Sequence, residues 1–365
     1  MNIGVDASSL CGSLTGFGVY LRGFLGHMAP LDRESTFYLY AARPLGVKFD
    51  QPNVIVRTDN SRLPRTFWLQ IHGQRVALRD RLDCFWGPGH FLPPGLESRV
   101  RTVVTVHDLV YPLYPQYMTR YFAFLHRCFF ARSVRQADAV ITVSRQTRQD
   151  LIEHLHIDPA KVSAVHRGVD PEFHPLAPET VRARLEALGI RNEYLLAVGT
   201  LEPRKNYLLL FRAMATLPSC PPLLIAGGRG WKFGKALREL RELGLGSRVS
   251  LLDYVSLDDL VALYNRALLL VQTSLYEGFG LPVLQAMACG VPVLASNTSS
   301  LPEVGGEAAA YFESNSIESL RAGLVRLLAE PETRAAMAQK GLQRAKEFSW
   351  TQAAQETLNI LKGTA

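Results

Sequence analysis

Short β-branched and aromatic runs alternate along this chain with longer stretches in which apolar residues recur three or four positions apart. In the first half, Ile3–Asp6, Phe37–Tyr40, Val54–Arg57, Cys84–Trp86, Val103–Val106 and Ala139–Val143 read as strands. The spacing between them predicts helices near Phe17–Met28, Arg65–Arg81, Gln116–Arg135 and Gln146–His154. The alternation then starts again. Tyr194–Val198, Leu223–Ala226, Val249–Leu252, Leu268–Val271 and Val293–Ala295 are the expected strands, with Ala309–Phe312 as a sixth. Helices are predicted near Tyr207–Thr216, Lys235–Leu243, Leu257–Arg266 and Leu281–Ala288, and a final helical region from Ile317 to Leu361. Such β-α-β alternation implies an α/β fold with parallel sheets covered by helices, here twice over. Gly168, Pro171, Pro175 and Pro178 break regular structure between the halves, which puts a hinge between His166 and Pro178. Two doubly wound, Rossmann-like domains would share an interdomain cleft facing the carboxyl ends of both sheets, where ligands bind.

A length of 365 residues agrees with two domains, since one core rarely grows so large. Hydrophobic residues make up 47% and charged residues 20%, which excludes a disordered chain. The five cysteines, Cys11, Cys84, Cys128, Cys220 and Cys289, are odd in number and scattered, with no C-x-x-C. They read as free thiols in a reducing compartment. The start Met1-Asn2-Ile3-Gly4-Val5-Asp6 has the look of a strand, without the basic and apolar regions of a signal peptide. No apolar run approaches the roughly 18–20 residues of a membrane span. A cytoplasmic location is the expectation. Residues 1–173 hold 20 Lys and Arg against 15 Asp and Glu, so most of the net charge of +7 lies in the first half. That excess suits an anionic membrane surface, an anionic substrate or nucleic acid, or serves solubility alone.

The densest chemistry lies in Tyr276-Glu277-Gly278-Phe279-Gly280-Leu281-Pro282, continuing to Gln285. An acid precedes a glycine-rich turn at which a helix opens. Free N–H groups and the positive end of the helix dipole then lie beside a carboxylate, which suits phosphate and nearby hydroxyls together. Glu277 also reads as a simple helix-end acid. Thr200-Leu201-Glu202-Pro203-Arg204-Lys205-Asn206 carries two cations between a strand and a helix. Arg204 offers a planar fork and Lys205 a point charge, so the loop reads as a diphosphate clamp or as a solvated basic loop. His107-Asp108 closes the strand Val103–Val106 and reads equally as structural or functional. Gly16-Phe17-Gly18 is half of a phosphate-binding turn, and Gly227-Gly228 a second weak one.

Two segments mix aromatics with arginines. Gln116–Arg135 has Phe122, Phe124, Leu125, Phe129 and Phe130 beside Arg120, Arg127, Arg132 and Arg135; Arg65–Arg81 has Phe67, Trp68 and Ile71 beside Arg65, Arg75, Arg79 and Arg81. Such helices lie on anionic lipid, or bury the aromatics and solvate the arginines. D-x-D, P-loop, G-x-S-x-G and H-E-x-x-H patterns are absent, so no catalytic metal is expected, and no nucleic-acid module is recognisable.

The loop Glu277 to Gln285, the Arg204-Lys205-Asn206 run, His107-Asp108 and Gly16-Phe17-Gly18 together resemble the retaining GT-B glycosyltransferases of family GT4, the bacterial mannosyltransferases of polysaccharide and O-antigen assembly in particular. Val143-Ser144, the run His166-Arg167-Gly168-Val169-Asp170 and Phe348-Ser349-Trp350 extend the likeness over nearly the whole chain. The resemblance implies an acceptor domain over 1–172, a donor domain over 173–347 and a C-terminal helix over 348–365 that crosses back to the first domain. It implies that Arg204 and Lys205 hold the donor diphosphate and that Glu277 contacts hydroxyls of the donor sugar. Backbone N–H groups of Phe279, Gly280 and Leu281 would face sugar and phosphate. Tyr254 and Val255 match the place where the base is held, Gly16 and Gly18 the loop near the diphosphate, and His107 the histidine near the sugar's primary hydroxyl. Gln285 stands where the family usually has a second Glu that holds the ribose hydroxyls. An amide keeps one acceptor oxygen there but loses the bidentate carboxylate.

The expected reaction is metal-independent transfer of a hexose, mannose from GDP-mannose, to a glycan or lipid-linked glycan with the anomeric configuration kept. Peripheral contact with an anionic membrane is a further expectation. A nucleotide-sugar epimerase, a glycan phosphorylase or a two-lobed binding protein would share the paired α/β lobes.

Overall fold

The computed structural model describes residues 1–12, 16–96 and 99–364. The chain divides into two compact units, Met1–Gly168 with Phe348–Ala365, and Val169–Glu347.

The first unit is built on a parallel sheet of β1 (Asn2–Asp6), β2 (Thr36–Ala41), β3 (Val54–Thr58), β4 (Cys84–Gly87), β5 (Arg101–Val106), β6 (Ala139–Thr142) and β7 (Val162–Ala164). Their order is β3-β2-β1-β4-β5-β6-β7. The chain thus winds outward from β1 in one direction, returns, and winds outward in the other. β4 and β6 are buried along their whole length, as strands covered on both faces must be. The last helix, Trp350–Lys362, packs on the first, Gly16–Leu31. The Trp350 ring meets Phe24 edge-on at 5.3 Å between centroids, and the Arg167 guanidinium lies 4.9 Å over it. Lys362 reaches Asp32 at 2.8 Å, and Arg101 donates to the Ile360 carbonyl at 3.2 Å.

The second unit repeats the pattern with β8 (Leu195–Val198), β9 (Leu223–Ala226), β10 (Val249–Leu251), β11 (Leu269–Gln272), β12 (Val293–Ser296) and β13 (Ala310–Phe312). The order is β10-β9-β8-β11-β12-β13, all parallel. Direction switches between β8 and β11, so the loops leaving these neighbouring strands start side by side. A crevice at such a switch is where doubly wound sheets take ligands. The helix Leu281–Ala288 is buried from Val283 to Ala288, and its position is thereby set by packing.

Several details depart from the sequence reading. The expected helix Gln116–Arg135 begins as a 3₁₀ turn, Pro115–Tyr117, and then runs from Arg120 to Gln136 with a π-turn at His126–Phe130. The helix expected to reach Arg81 stops at Arg79, and Arg81 has a positive φ of 49°. The final helical region is three helices, Ile317–Ala329, Pro331–Ala345 and Trp350–Lys362, interrupted at Pro331 and at the Ser349 cap. β7 and the helices Pro178–Ala187 and Leu301–Gly305 lie where no element was expected.

Candidate active site

In the second unit, β8 ends at a backbone that admits only glycine. Gly199 has φ +144° and Gly227 φ +156°. A Cβ on Gly227 would lie 2.2 Å from the Gly199 carbonyl oxygen, and one on Gly199 would lie 2.7 Å from Cε of Lys205. The chain then makes a 3₁₀ turn, Pro203–Lys205, and Asn206 at φ +52° leads into the helix Tyr207–Ala215. This turn is tied to the neighbouring loop. Leu275 N–H donates to the Arg204 carbonyl at 2.8 Å, and the Thr273 hydroxyl donates to the Lys205 carbonyl at 2.7 Å.

The loop after β11 brings Glu277 onto both cations. Lys205 Nζ lies 2.6 Å from Glu277 Oε1, and Arg204 donates from one nitrogen to Glu277 Oε2 at 2.8 Å. The same Arg204 nitrogen reaches the Tyr276 carbonyl at 2.7 Å, and the other reaches Glu202 at 2.5 Å. Ser274 Oγ at 2.6 Å and Gln272 Nε2 at 3.0 Å also donate to Oε1. Burial alone would raise the Glu277 carboxyl. The charges of Arg204 and Lys205 and the hydrogen bonds from Lys205 and Ser274 outweigh it and hold the group far below the ordinary carboxylate range. Glu277 and Lys205 are both buried. Neither the solvated basic loop nor the helix-end acid describes what is found: the helix begins at Leu281, beyond Glu277.

The backbone after Glu277 is held by serines. Glu277 N–H donates to Ser299 Oγ at 2.8 Å, and Ser300 Oγ donates to the Glu277 carbonyl at 2.8 Å. Gly280, at φ +103°, caps the helix without a side-chain partner. The N–H groups of Gly280 and Leu281 have no acceptor among the described residues, so they project from a positive helix end. Gln285 is buried on this helix and accepts a hydrogen bond from the Tyr264 hydroxyl at 3.1 Å. Tyr254 is 82% exposed and, with Val255, stands outside the Glu277 network. Its neighbour Asp253 pairs with Arg229 at 3.0 Å.

The first unit places His107 just beyond β5. Its Nε2 donates to the Pro88 carbonyl at 2.7 Å, which fixes the tautomer and leaves Nδ1 as an acceptor. Phe17 and Tyr20 enclose the ring at 4.4 and 4.6 Å. Burial pushes its pKa down to about 4, so the ring is neutral at pH 7. Asp108 instead caps the next turn by accepting from Val110 N–H at 3.0 Å. Gly16 and Gly18 form the first turn of the helix Gly16–Leu31, with no positive φ at either. Among the described residues, no group of three or more His, Cys, Asp or Glu could hold a metal ion.

Comparison with known proteins agrees with this arrangement. The family Glycosyltransferase Family 4 matches residues 15–173, and Glycosyl transferases group 1 matches residues 185–344. The O-antigen chain mannosyltransferase B of Escherichia coli is 34% identical over 296 residues, covering 79% of this chain and 77% of that protein. The chain belongs to glycosyltransferase family 4. This glycosyltransferase is also 31% identical over 266 residues, 70% of its length, to the serotype-specific mannosyltransferase WbdA of Escherichia coli, of which it spans about a third (32%). WaaG, a glycosyltransferase involved in lipopolysaccharide biosynthesis, superposes with a TM-score of 0.77 over 100% of both chains at 17% identity. Anabaena HepE in complex with UDP-glucose does so with 0.78 over 99% of both chains at 18% identity. These two likenesses establish the GT-B fold.

Several partners of the glycosyltransferase site escaped the sequence reading: Glu202, Gln272, Ser274, Ser299 and Ser300. Gln272-Thr273-Ser274 had a usable signal, because polar residues at the carboxyl end of a buried strand face a ligand crevice. Ser299 and Ser300 lie in the loop after β12 and carried none.

Proposed function

We propose that this glycosyltransferase transfers mannose from GDP-mannose to a hydroxyl of a glycan or lipid-linked glycan, with retention of configuration. The observation that carries the reading is the meeting of Lys205, Arg204 and Glu277 at the switch point of the second sheet, beside the N–H groups of Gly280 and Leu281. The sugar and the polymer class rest on the 34% identity to a mannosyltransferase that acts on O-antigen chains.

The reaction must stabilise a departing diphosphate and a sugar with oxocarbenium character. In this reading Arg204 and Lys205 face the diphosphate with the unpaired amides, so that opposite charge is in place where negative charge develops. Glu277 accepts from hydroxyls of the donor sugar, with Phe279 N–H nearby. The C1–O bond to phosphate breaks, the acceptor oxygen bonds to C1 on the same face, and the leaving phosphate takes the acceptor's proton. His107, neutral and with Nδ1 open, accepts from the sugar's primary hydroxyl. Gln285 holds the ribose through the second lone pair of its carbonyl oxygen, and Tyr254 and Val255 hold the base. Gly16 and Gly18 keep the chain thin near the diphosphate.

We further propose that the enzyme works in the cytoplasm at the inner face of the membrane. Tyr121, Phe122 and Phe124 are 49%, 45% and 53% exposed between the exposed Arg120 and Arg127, whereas Phe130 and Trp68 are core. No described helix is long and apolar enough to cross a membrane. Co-sedimentation with anionic vesicles at low salt tests this, and equal recovery of Phe124→Ser and wild type would contradict it.

The test of the main reading is a panel of nucleotide-sugars. GDP-mannose is expected to raise the melting temperature and to release GDP only with a glycan acceptor present. Stabilisation by UDP-sugars alone would overturn the donor, and conversion without acceptor would favour an epimerase.

A further inference from the structure

We infer that Ser274 and Gln272 are positioning residues that fix the rotation of the Glu277 carboxylate, so that Oε2 alone is presented to the donor. The inference rests on the proposed role of Glu277 and deepens it.

The two oxygens of Glu277 are unequally used. Oε1 takes three donors: Lys205 Nζ at 2.6 Å, Ser274 Oγ at 2.6 Å and Gln272 Nε2 at 3.0 Å. Oε2 takes one, from Arg204 at 2.8 Å. A carboxylate oxygen has about two lone-pair directions, so Oε1 is saturated and Oε2 retains acceptor capacity. The donors are themselves held. Gln272 Nε2 also donates to Ser274 Oγ at 2.9 Å, which orients that hydroxyl's proton toward Glu277. Ser296 Oγ donates to the Ser274 carbonyl at 2.6 Å. Gln272, Ser274 and Ser296 are all buried, on or just after two adjacent strands, so the network sits on rigid backbone. The amide of Gln272 must point its nitrogen at Glu277, because the opposite orientation would set oxygen against carboxylate.

Lys205 on Oε1 and Arg204 on Oε2 would hold the carboxylate from long side chains and would tolerate rotation about the terminal torsion, which is broad for Glu. Two further donors on rigid backbone remove that freedom. The acceptor that meets the sugar is then in place before the donor arrives, which is how a positioned group lowers a barrier.

The experiment compares Ser274→Ala, Gln272→Leu and their double variant with wild type and Glu277→Ala. Transfer from GDP-mannose, or from whichever of UDP-glucose and UDP-galactose the wild type turns over, is expected to lose roughly tenfold to a hundredfold in kcat, the scale of a misplaced group. Affinity for GDP or UDP without the sugar is expected to stay within about twofold, since the cations remain. A merely structural role would lower both together or neither. A crystal structure of the double variant is expected to show the Glu277 carboxylate rotated. Unchanged kcat and an unrotated carboxylate in the double variant, with Glu277→Ala inactive, would overturn the positioning role alone. Full activity of Glu277→Ala would remove the role of Glu277 and this inference with it.

Discussion

Both sheets place polar residues past the carboxyl ends of their central strands, yet with opposite chemistry. Beside the β8–β11 switch stand two cations and two acids in direct contact, with helix amides unpaired nearby. Past the ends of β1, β4 and β5 stand rings: His107 between Phe17 and Tyr20, with His90 tilted against it 5.5 Å away. Burial lowers the pKa of both histidines, so these rings are neutral at pH 7. One fold has produced a charged site and a neutral one. In the proposed reaction, charge developing on the leaving group would be met by the first, and sugar hydroxyls by the second.

The largest expected effect breaks the comparison from the charged side. Lys205→Ala is expected to lower kcat by about 10²–10³, the scale of losing one donor to developing charge. His107→Ala is expected to cost less, and a larger loss there would invert the assignment of roles. Because Lys205 is buried against Glu277, its removal also leaves a buried acid with one cation fewer, so a drop in melting temperature accompanies it.

Next in size is the packing of the first unit. Trp350→Ala removes a ring that fills the space above Gly23 and Gly168, where an added Cβ would lie 2.6 and 2.5 Å from atoms of the ring. A loss of about 3–5 kcal/mol of stability is expected for a buried Trp. Urea unfolding followed separately for each unit should show the first unit weakened and the second unchanged. In the second unit, Gly227→Ala meets both a strained φ and the Gly199 carbonyl. A loss of about 1–3 kcal/mol, with donor affinity reduced, is the expectation for such a position.

A smaller effect sharpens the contrast through pH. The His107 pKa is lowered from 6.5 to about 4, so between these values the unfolded chain takes a proton that the folded chain refuses. Stability contributed by the neutral ring is full above pH 6.5 and falls as pH falls toward about 4. His107→Gln should flatten that slope. Glu277 is also depressed, so its contribution is full above about pH 4.5 and is lost as pH falls below that value, where the unfolded chain takes a proton that the folded chain refuses. An identical pH slope in His107→Gln and wild type would refute the neutral ring.

Much of this architecture was legible in the sequence. Period-two and unbroken apolar runs marked the strands of both sheets, because a strand buried on two faces has little freedom in composition. β7 escaped because Val162-Ser163-Ala164 carries one strongly apolar residue, whereas the equally short β10 and β13 end on Leu251 and Phe312. The Gln116–Arg135 segment misled because its aromatics are divided between core and surface, and a π-turn shifts the faces midway. In the site, Arg204, Lys205 and Glu277 were readable because charge beside glycine turns is conspicuous. Their mutual pairing was not, since no local pattern reports a contact across 72 positions. Gly16 and Gly18 open the helix expected near Phe17–Met28.

Calorimetric titration of the stabilising nucleoside diphosphate into wild type, Arg204→Ala and Lys205→Ala is the decisive measurement. Affinity is expected to fall by at least about tenfold in each variant, about 1.4 kcal/mol, with the loss diminishing as salt is raised. Equal affinity across the three proteins would mean that these cations serve only to neutralise Glu277, and the diphosphate would have to be held elsewhere.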